Sequence, residues 1–179
     1  MENDIMNALV GVLTTIVLGI GNYVFAALAI YKISKVEKVE NPWLAWIPIA
    51  NSYLLIKLGK GKMYFMVLAI ASFFAGGYLT ILMGEGVGKV IGTLLTIAWS
   101  IYTLIMYNRL CSNYDVNILF FVAGVIAPLV SLIQALAGLY IPLVLVSFYG
   151  HWKLYRNAGK SPIGKPRIES KVILSKKKK

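Results

Sequence analysis

The chain has 179 residues, of which 59% are hydrophobic and 14% are charged. Soluble domains have about 45–50% apolar and about 25% charged residues, so this composition excludes an ordinary water-soluble domain and indicates a polytopic membrane protein. The formal net charge of +11 would suit a nucleic-acid partner. In a membrane protein, however, basic residues fix the orientation and contact anionic headgroups, so no nucleic-acid partner is expected.

Apolar segments along the chain predict an all-α, polytopic bundle of about five transmembrane helices. A span needs about 20 mainly apolar residues. The acidic residues at the start and the long apolar run after them predict a retained first span rather than a cleavable signal peptide. The last two spans come from one uncharged stretch, which as a single helix would be about 60 Å long, so a hairpin turn is predicted near residues 134–140. The predicted spans are residues 7–31, 63–83, 87–106, 116–136 and 139–155.

The basic residues are distributed unevenly along this threading. With the N-terminus outside, the inner segments 32–62, 108–115 and 151–179 hold six, one and ten basic residues, and only Lys89 lies outside. This is a strong positive-inside pattern. It predicts an outer N-terminus and an inner C-terminus, with a bundle over residues 1–155 and a basic cytoplasmic tail over residues 156–179 that contacts anionic headgroups.

A short apolar segment, NPWLAWIPIANSYLLIKLG, separates the first two predicted spans. Both of its ends lie inside by charge, so it does not cross the membrane. Trp43 and Trp46 favour the headgroup level, and Pro48 breaks or restarts a helix. We predict that residues 42–58 form either an interfacial helix or a shallow re-entrant hairpin, and the sequence leaves both arrangements open.

This segment carries the distinctive pattern of the chain. The W-x-x-W-I-P-I-x-N sequence from Trp43 to Asn51 resembles the signature of an uncharacterised family of small polytopic bacterial membrane proteins. The resemblance implies a bacterial cytoplasmic (inner) membrane as the location. It supplies no activity.

Small residues recur at every fourth position in two of the predicted spans. Such residues let helix backbones approach closely, which drives helix association in lipid. The stripes therefore predict helix-packing faces, within one chain or between copies. They consist of Gly84, Gly88, Gly92, Thr96 and Ser100 in the third span, and of Ala123, Ala127 and Ser131 in the fourth.

No Asp, Glu, Lys or Arg lies deep in any predicted span, which disfavours proton relays and ion-coupled transport. The polar groups near mid-membrane are neutral: Asn22, Ser100, Tyr102 and Ser131. Asn22 could form an interhelical hydrogen bond or a polar point in a pore, and Tyr102 could do the same.

Several residues are predicted to lie at the membrane interface. Arg109, at the inner end of the third span, could reach the interface by snorkelling or bind a lipid phosphate or a partner carboxylate. Tyr149, His151 and Trp152 are predicted to form an interfacial belt above Lys153. The other predicted interfacial residues are Trp43, Trp46, Pro48 and Asn51.

Signatures of catalysis are scarce. One histidine and one cysteine cannot build a Cys/His zinc site, and neither H-E-x-x-H nor G-x-S-x-G is present. We therefore expect no catalytic, metal or cofactor site. Ser147 and His151 share a helix face at a spacing of four, which leaves an intramembrane hydrolase as a remote alternative.

These observations favour a non-enzymatic, multi-pass membrane protein that works as a homo-oligomer or as a subunit or scaffold of a membrane complex. A small channel or transporter with a neutral polar pathway is the main alternative. The intramembrane hydrolase is the third.

Overall fold

The chain folds into helices in a computed structural model that describes residues 2–131, 138–161 and 163–169. These residues contain no strand, which confirms the all-α prediction for the described part of the chain. The helices within the described residues include the short 3-10 helices Pro42–Trp46 and Met63–Phe65. They also include the α-helices α1 Glu2–Val36, α2 Pro48–Leu58, α3 Met66–Met83, α4 Glu85–Tyr114, α5 Leu119–Ser131 and α6 Tyr140–Gly159.

Two of these helices are long and apolar enough to cross a membrane, namely Leu9–Val36 within α1 and Gly86–Tyr114 within α4. Both run past the ends predicted from hydropathy at residues 31 and 106. In α4 the extension follows from an amphipathic pattern, because Leu110 and Tyr114 stay buried while polar neighbours turn outward. The predicted turn at residues 134–140 falls mostly outside the described residues, and α6 begins at its last residue.

One end of the bundle is tightly packed, and we call it the packed half. It joins the last third of α1, most of α2, and the C-terminal parts of α4 and α6 into one apolar cluster. Its fully buried members are Ala29, Ile30, Ile33, Ala45, Leu54, Leu110, Tyr114, Leu154 and Ala158.

The opposite ends of the same helices expose apolar side chains, and we call this part the exposed half. It comprises α1 up to Ile20, the hairpin tip between α3 and α4, and the first turns of α6. Side chains such as Val17, at 67% exposure, and Ile81, at 82%, point away from the protein. A surface this apolar is stable only when an apolar medium or another protein covers it.

Helices α3 and α4 form an antiparallel hairpin and pack along their length. The Ser72 hydroxyl donates a 3.0 Å hydrogen bond across the pair to the Leu95 carbonyl, and Gly88 and Gly92 are buried on α4. Gly84 does not belong to this contact. It is the turn residue, with φ of 79° and no atom within 4 Å of the place of a Cβ, so its freedom serves the turn rather than helix packing.

The segment between α1 and α3 enters the bundle and returns to the end from which it came. Its carbonyl at Ala45 lies within 3.5 Å of the Tyr23 hydroxyl, about 20 Å along α1 from the end of that helix. Helix α2 then runs back until Arg109 contacts the carbonyl of Gly59. At 11 residues α2 is about 16 Å long, half of a hydrocarbon core. The segment therefore packs among α1, α3 and α4, and the choice between an interfacial and a re-entrant arrangement stays a prediction.

Candidate functional site

A partly open cavity of about 400 Å³ lies between the helices, next to the packed half. Five helices surround it, and none of its lining residues is charged. Its walls are formed by Gly19, Asn22, Tyr23, Ala26, Pro48, Asn51, Ser52, Leu55, Trp99, Thr103, Leu104, Tyr107, Phe121, Gly124, Val125, Ser147 and His151.

Asn22 and Ser147 form one side of the cavity. The Ser147 hydroxyl donates to the Asn22 side-chain oxygen over 3.3 Å and thereby links α6 to α1. Ser147 is buried, so this bond replaces water that the hydroxyl cannot reach. The interhelical hydrogen bond and the polar cavity wall, which the sequence offered as alternatives for Asn22, occur together.

His151 lies one helical turn further along α6 and is 4% exposed. Its Nδ1 lies 3.0 Å from the Ser147 carbonyl, which only accepts, so Nδ1 carries the proton. With the ring neutral, Nε2 accepts from the Tyr107 hydroxyl over 3.2 Å. Tyr107 in turn stacks on Phe121 at 4.4 Å between ring centroids. The bonded pair is therefore held inside an aromatic cluster.

The prediction that His151 belongs to an interfacial belt is wrong. Ser147, His151, Leu154 and Ala158 recur at helical spacing and form the buried face of α6. Tyr149 lies on the exposed face instead, with Trp152. Trp152 carries the Arg156 guanidinium over its ring at 5.3 Å, which suits an interfacial position. The buried periodicity of α6 was the signal that could have separated His151 from its neighbours.

The segment between α1 and α3 supplies a second polar wall. Pro48 begins α2, where its missing N–H costs no helical hydrogen bond. The Asn51 amide donates 2.7 Å to the Ala45 carbonyl and so closes the bend between the 3-10 helix and α2. This contact gives a physical reason for an asparagine three residues after the proline. Trp43 and Trp46 are exposed on the outer side of the bend.

Thr103 on α4 contributes a hydroxyl that is unusual for a buried group. Its Oγ1 is shielded from solvent and has no hydrogen-bond partner in the described part of the chain. Buried polar groups are normally paired, so such an atom calls for an explanation.

Two glycines shape the cavity in opposite ways. A Cβ on Gly124 would lie 2.5 Å from the Ser147 hydroxyl oxygen, so only glycine lets α5 approach α6 there. A Cβ on Gly19 would meet nothing within 4 Å. Gly19 therefore leaves open space at the exposed rim of the cavity.

Other predicted polar and interfacial residues lie away from the cavity. Tyr102 accepts from the Lys62 N–H over 3.0 Å and donates to the Lys62 carbonyl over 3.2 Å, so it anchors the loop before α3. Ser100 is half-buried and does not line the cavity. Arg109 donates to the Gly59 and Lys60 carbonyls at 2.7 and 2.9 Å, a role that the sequence did not indicate.

The remaining small residues have mixed positions. Ala123 and Ala127 are buried on α5, whose main neighbour is α6. Thr96 lines a smaller pocket with Ser72, between α2, α3 and α4. The Ser131 side chain lies outside the described residues.

The geometry does not assemble a hydrolytic pair from Ser147 and His151. The imidazole contacts the backbone carbonyl of Ser147, and the serine hydroxyl is bonded to Asn22. A nucleophilic serine needs its hydroxyl within reach of the base. Among the described residues, no group of three metal-ligating side chains occurs either.

No protein-family model, curated protein or solved structure matches this chain. Membership of the bacterial family that the W-x-x-W-I-P-I-x-N pattern resembles therefore stays a prediction.

Proposed function

We propose that the protein is a non-enzymatic, multi-pass protein of a bacterial cytoplasmic membrane that binds a small uncharged molecule in the cavity between its helices. The N-terminus is outside, the C-terminus is inside, and five helices span the bilayer. Binding would serve transport or presentation of that molecule within the membrane. This develops the neutral-pathway alternative, with a different set of lining residues.

The membrane placement is supported by where charge and apolar surface lie. Lys60, Arg109 and Arg156 belong to helix ends at the packed half, and Lys89 lies one turn into α4, at the opposite end of the bundle. Between these ends the exposed half presents apolar side chains that a bilayer would cover. The basic packed half would then meet anionic headgroups of the inner leaflet.

The binding function rests on one observation, the cavity lined by hydrogen-bonding groups without a charge. Ligand sites are mainly apolar cavities with a few convergent polar groups, and their usual volume is about 300–1,000 Å³. Asn22, Thr103 and the Tyr107–His151 pair supply such groups among leucine, phenylalanine and valine side chains.

Assembly through the glycine stripe has weaker support. Gly88 and Gly92 are already buried within a single chain, where α3 packs on α4. Contacts within one chain therefore occupy these two glycines, while Thr96 of the same stripe stays exposed.

The proposal is tested by filling the cavity with a larger side chain and measuring whether a bound compound is lost from the purified protein. Gly19→Phe places a ring in the open space, and Gly11→Phe is the matched control, because Gly11 lies on the same helix and away from the cavity. We expect mass spectrometry of the purified protein to find an uncharged compound that accompanies the wild type and Gly11→Phe but not Gly19→Phe. Identical extracts from all three proteins would overturn the proposal.

Orientation has its own test in intact cells, in a background with Cys111→Ala. A membrane-impermeant maleimide should label Lys89→Cys and should leave Lys160→Cys unlabelled until the cells are opened. The reverse pattern would contradict the proposed orientation.

A further inference from the structure

Two side chains in the cavity wall, Asn22 and Thr103, have hydrogen-bonding groups that a ligand could engage. The Asn22 oxygen is engaged by Ser147, so what remains is its amide nitrogen, which only donates and has no acceptor among the described residues. The buried Thr103 hydroxyl also has no partner there. An unpaired buried hydroxyl costs free energy, and a ligand with an acceptor oxygen would remove that cost at Thr103 and would also pair the amide of Asn22.

The walls of the cavity also limit the charge of a ligand. No lining residue carries a charge that could pair with an ion, and most of the wall is apolar or aromatic. Transferring an unpaired ion into such a space is strongly unfavourable. A carbonyl oxygen satisfies both conditions, because it is a neutral acceptor with two lone pairs.

A second pocket indicates from which direction the ligand arrives. This space of about 190 Å³ lies between α2, α3 and α4 and shares Pro48, Ser52 and Trp99 with the cavity. Its outer wall includes Phe73, which is 60% exposed on the apolar surface of α3. The two spaces are therefore neighbours with Trp99 in the wall of both, and the smaller one adjoins the apolar surface of α3.

We infer that the ligand is an uncharged lipid with a carbonyl-bearing head, which reaches Asn22 and Thr103 from the bilayer through the pocket beside Trp99. This inference rests on the proposed function and names the ligand class of the same site. The carbonyl belongs either to an acylglycerol ester or to a quinone ring, and the head occupies the cavity while the chain extends toward α3.

The experiment uses full-length protein with Cys111→Ala and Val125→Cys, purified in detergent. Val125 lines the cavity without a hydrogen-bonding role, so its thiol reports occupancy. N-ethylmaleimide, which is small and neutral, is the labelling reagent. The competitors are dioctanoylglycerol and a decyl-substituted benzoquinone, with dodecane and dioctanoyl phosphatidate as the apolar and charged controls.

We expect one carbonyl lipid to slow labelling by about tenfold at ten times its dissociation constant, because only the empty protein reacts. Dodecane and the phosphatidate should leave the rate unchanged. Which of the two carbonyl lipids protects identifies the source of the carbonyl.

Asn22→Leu and Thr103→Val remove the two donors with little change in volume. Each should weaken protection roughly tenfold, as expected for one lost hydrogen bond. Thr93→Val is the matched control, since this threonine is exposed on the same helix as Thr103 and bonds to its own backbone.

The outcomes separate this inference from the proposed function. If the thiol is labelled at the normal rate and neither carbonyl lipid slows labelling more than dodecane does, the proposed ligand class is wrong. The proposal of an accessible cavity is not affected by that result. Equal protection by phosphatidate also overturns the ligand class, because the ligand would then be charged. Failure of both Val125→Cys and Leu104→Cys to react, while the unfolded proteins do, contradicts an accessible cavity and with it both proposals.

Discussion

The two halves of α1 are similarly apolar in sequence and differ in what surrounds them. Up to Ile20 the side chains are largely exposed, whereas from Ala27 to Val36 most side chains have at most a few per cent of their surface exposed. Lipid tails are as apolar as leucine, so apolarity alone cannot drive one half to pack. The packed half instead combines small residues such as Ala27 and Ala158 with polar bonds between helix ends. Close approach and hydrogen bonding, rather than hydrophobicity, distinguish the two halves.

The largest effect should come from deleting the same side chain in each half of α6. Leu154 is fully buried and Leu145 is 51% exposed. We expect Leu154→Ala to lower the free energy of unfolding by about 2–5 kcal/mol through lost packing. Leu145→Ala should change it by less than about 0.5 kcal/mol. Unfolding in mixed detergent measures both, and equal losses would break the distinction between the halves.

Gly88 and Gly92 of α4 test the comparison further, because they are buried although they lie in the exposed half. Gly88→Leu with Gly92→Leu should push α3 away and destabilise the protein by about 1–3 kcal/mol, as overpacking does. The mass of the detergent-solubilised protein should stay that of the wild type, measured by light scattering. A smaller particle in the double variant would show that the stripe joins separate copies after all.

Removal of a polar bond within the packed half should have an effect of similar size. The Asn157 amide donates to the carbonyls of Tyr114 and Asp115 at 2.8 and 3.3 Å and so secures the end of α4. Asn157→Ala leaves these acceptors unpaired and should cost about 1–3 kcal/mol. Asn108→Ala, at an exposed position on α4, is the control and should be close to neutral. Comparable stability of both variants would argue that polar bonds do not hold this half together.

The smallest effect depends on pH. Burial raises the pKa of Glu37 above its usual value, and Glu169 adds to the rise, while the Tyr114 hydroxyl and Lys60 oppose it. The folded protein therefore holds this proton more strongly than the unfolded chain does. Stability should be greatest below the usual glutamate pKa and should decline as pH rises through the raised pKa.

Thermal unfolding of Glu37→Gln should lack that decline, whereas Glu40→Gln, at an exposed position, should keep it. A decline that persists unchanged in Glu37→Gln would assign the pH dependence to another group.

Hydropathy and charge located the helices along the chain but could not orient them about their own axes. The all-α class and two membrane-competent helices followed from the length of the apolar runs. A helix that is apolar on all sides, however, carries little periodic signal to distinguish its inward face. The face of Asn22 could therefore not be assigned, nor could its bond to Ser147, which lies 125 positions away.

The same limit applies to the cavity and to the polar groups near helix ends. Arg109 has an unremarkable position in sequence, and only the fold brings the carbonyls of Gly59 and Lys60 to it. His151 was misplaced because it stands between two aromatic residues that suit an interface. His151 lies on the same face of α6 as Ser147 and Leu154, at spacings of four and three residues, and this face is buried.

The contact of Arg109 also has an electrostatic consequence. A helix carries partial charges of about half an elementary unit, positive at its N-terminus and negative at its C-terminus. At the C-terminal end of α2, the Arg109 guanidinium donates to the carbonyls of Gly59 and Lys60 and so compensates the negative partial charge. At the N-terminal end, which begins at Pro48, the side chain of Ile47 provides no cap for the helix. The cavity adjoins that uncompensated positive end. Its electric field thus favours molecules that present a partial negative charge and repels cations, although no charged residue lines its wall.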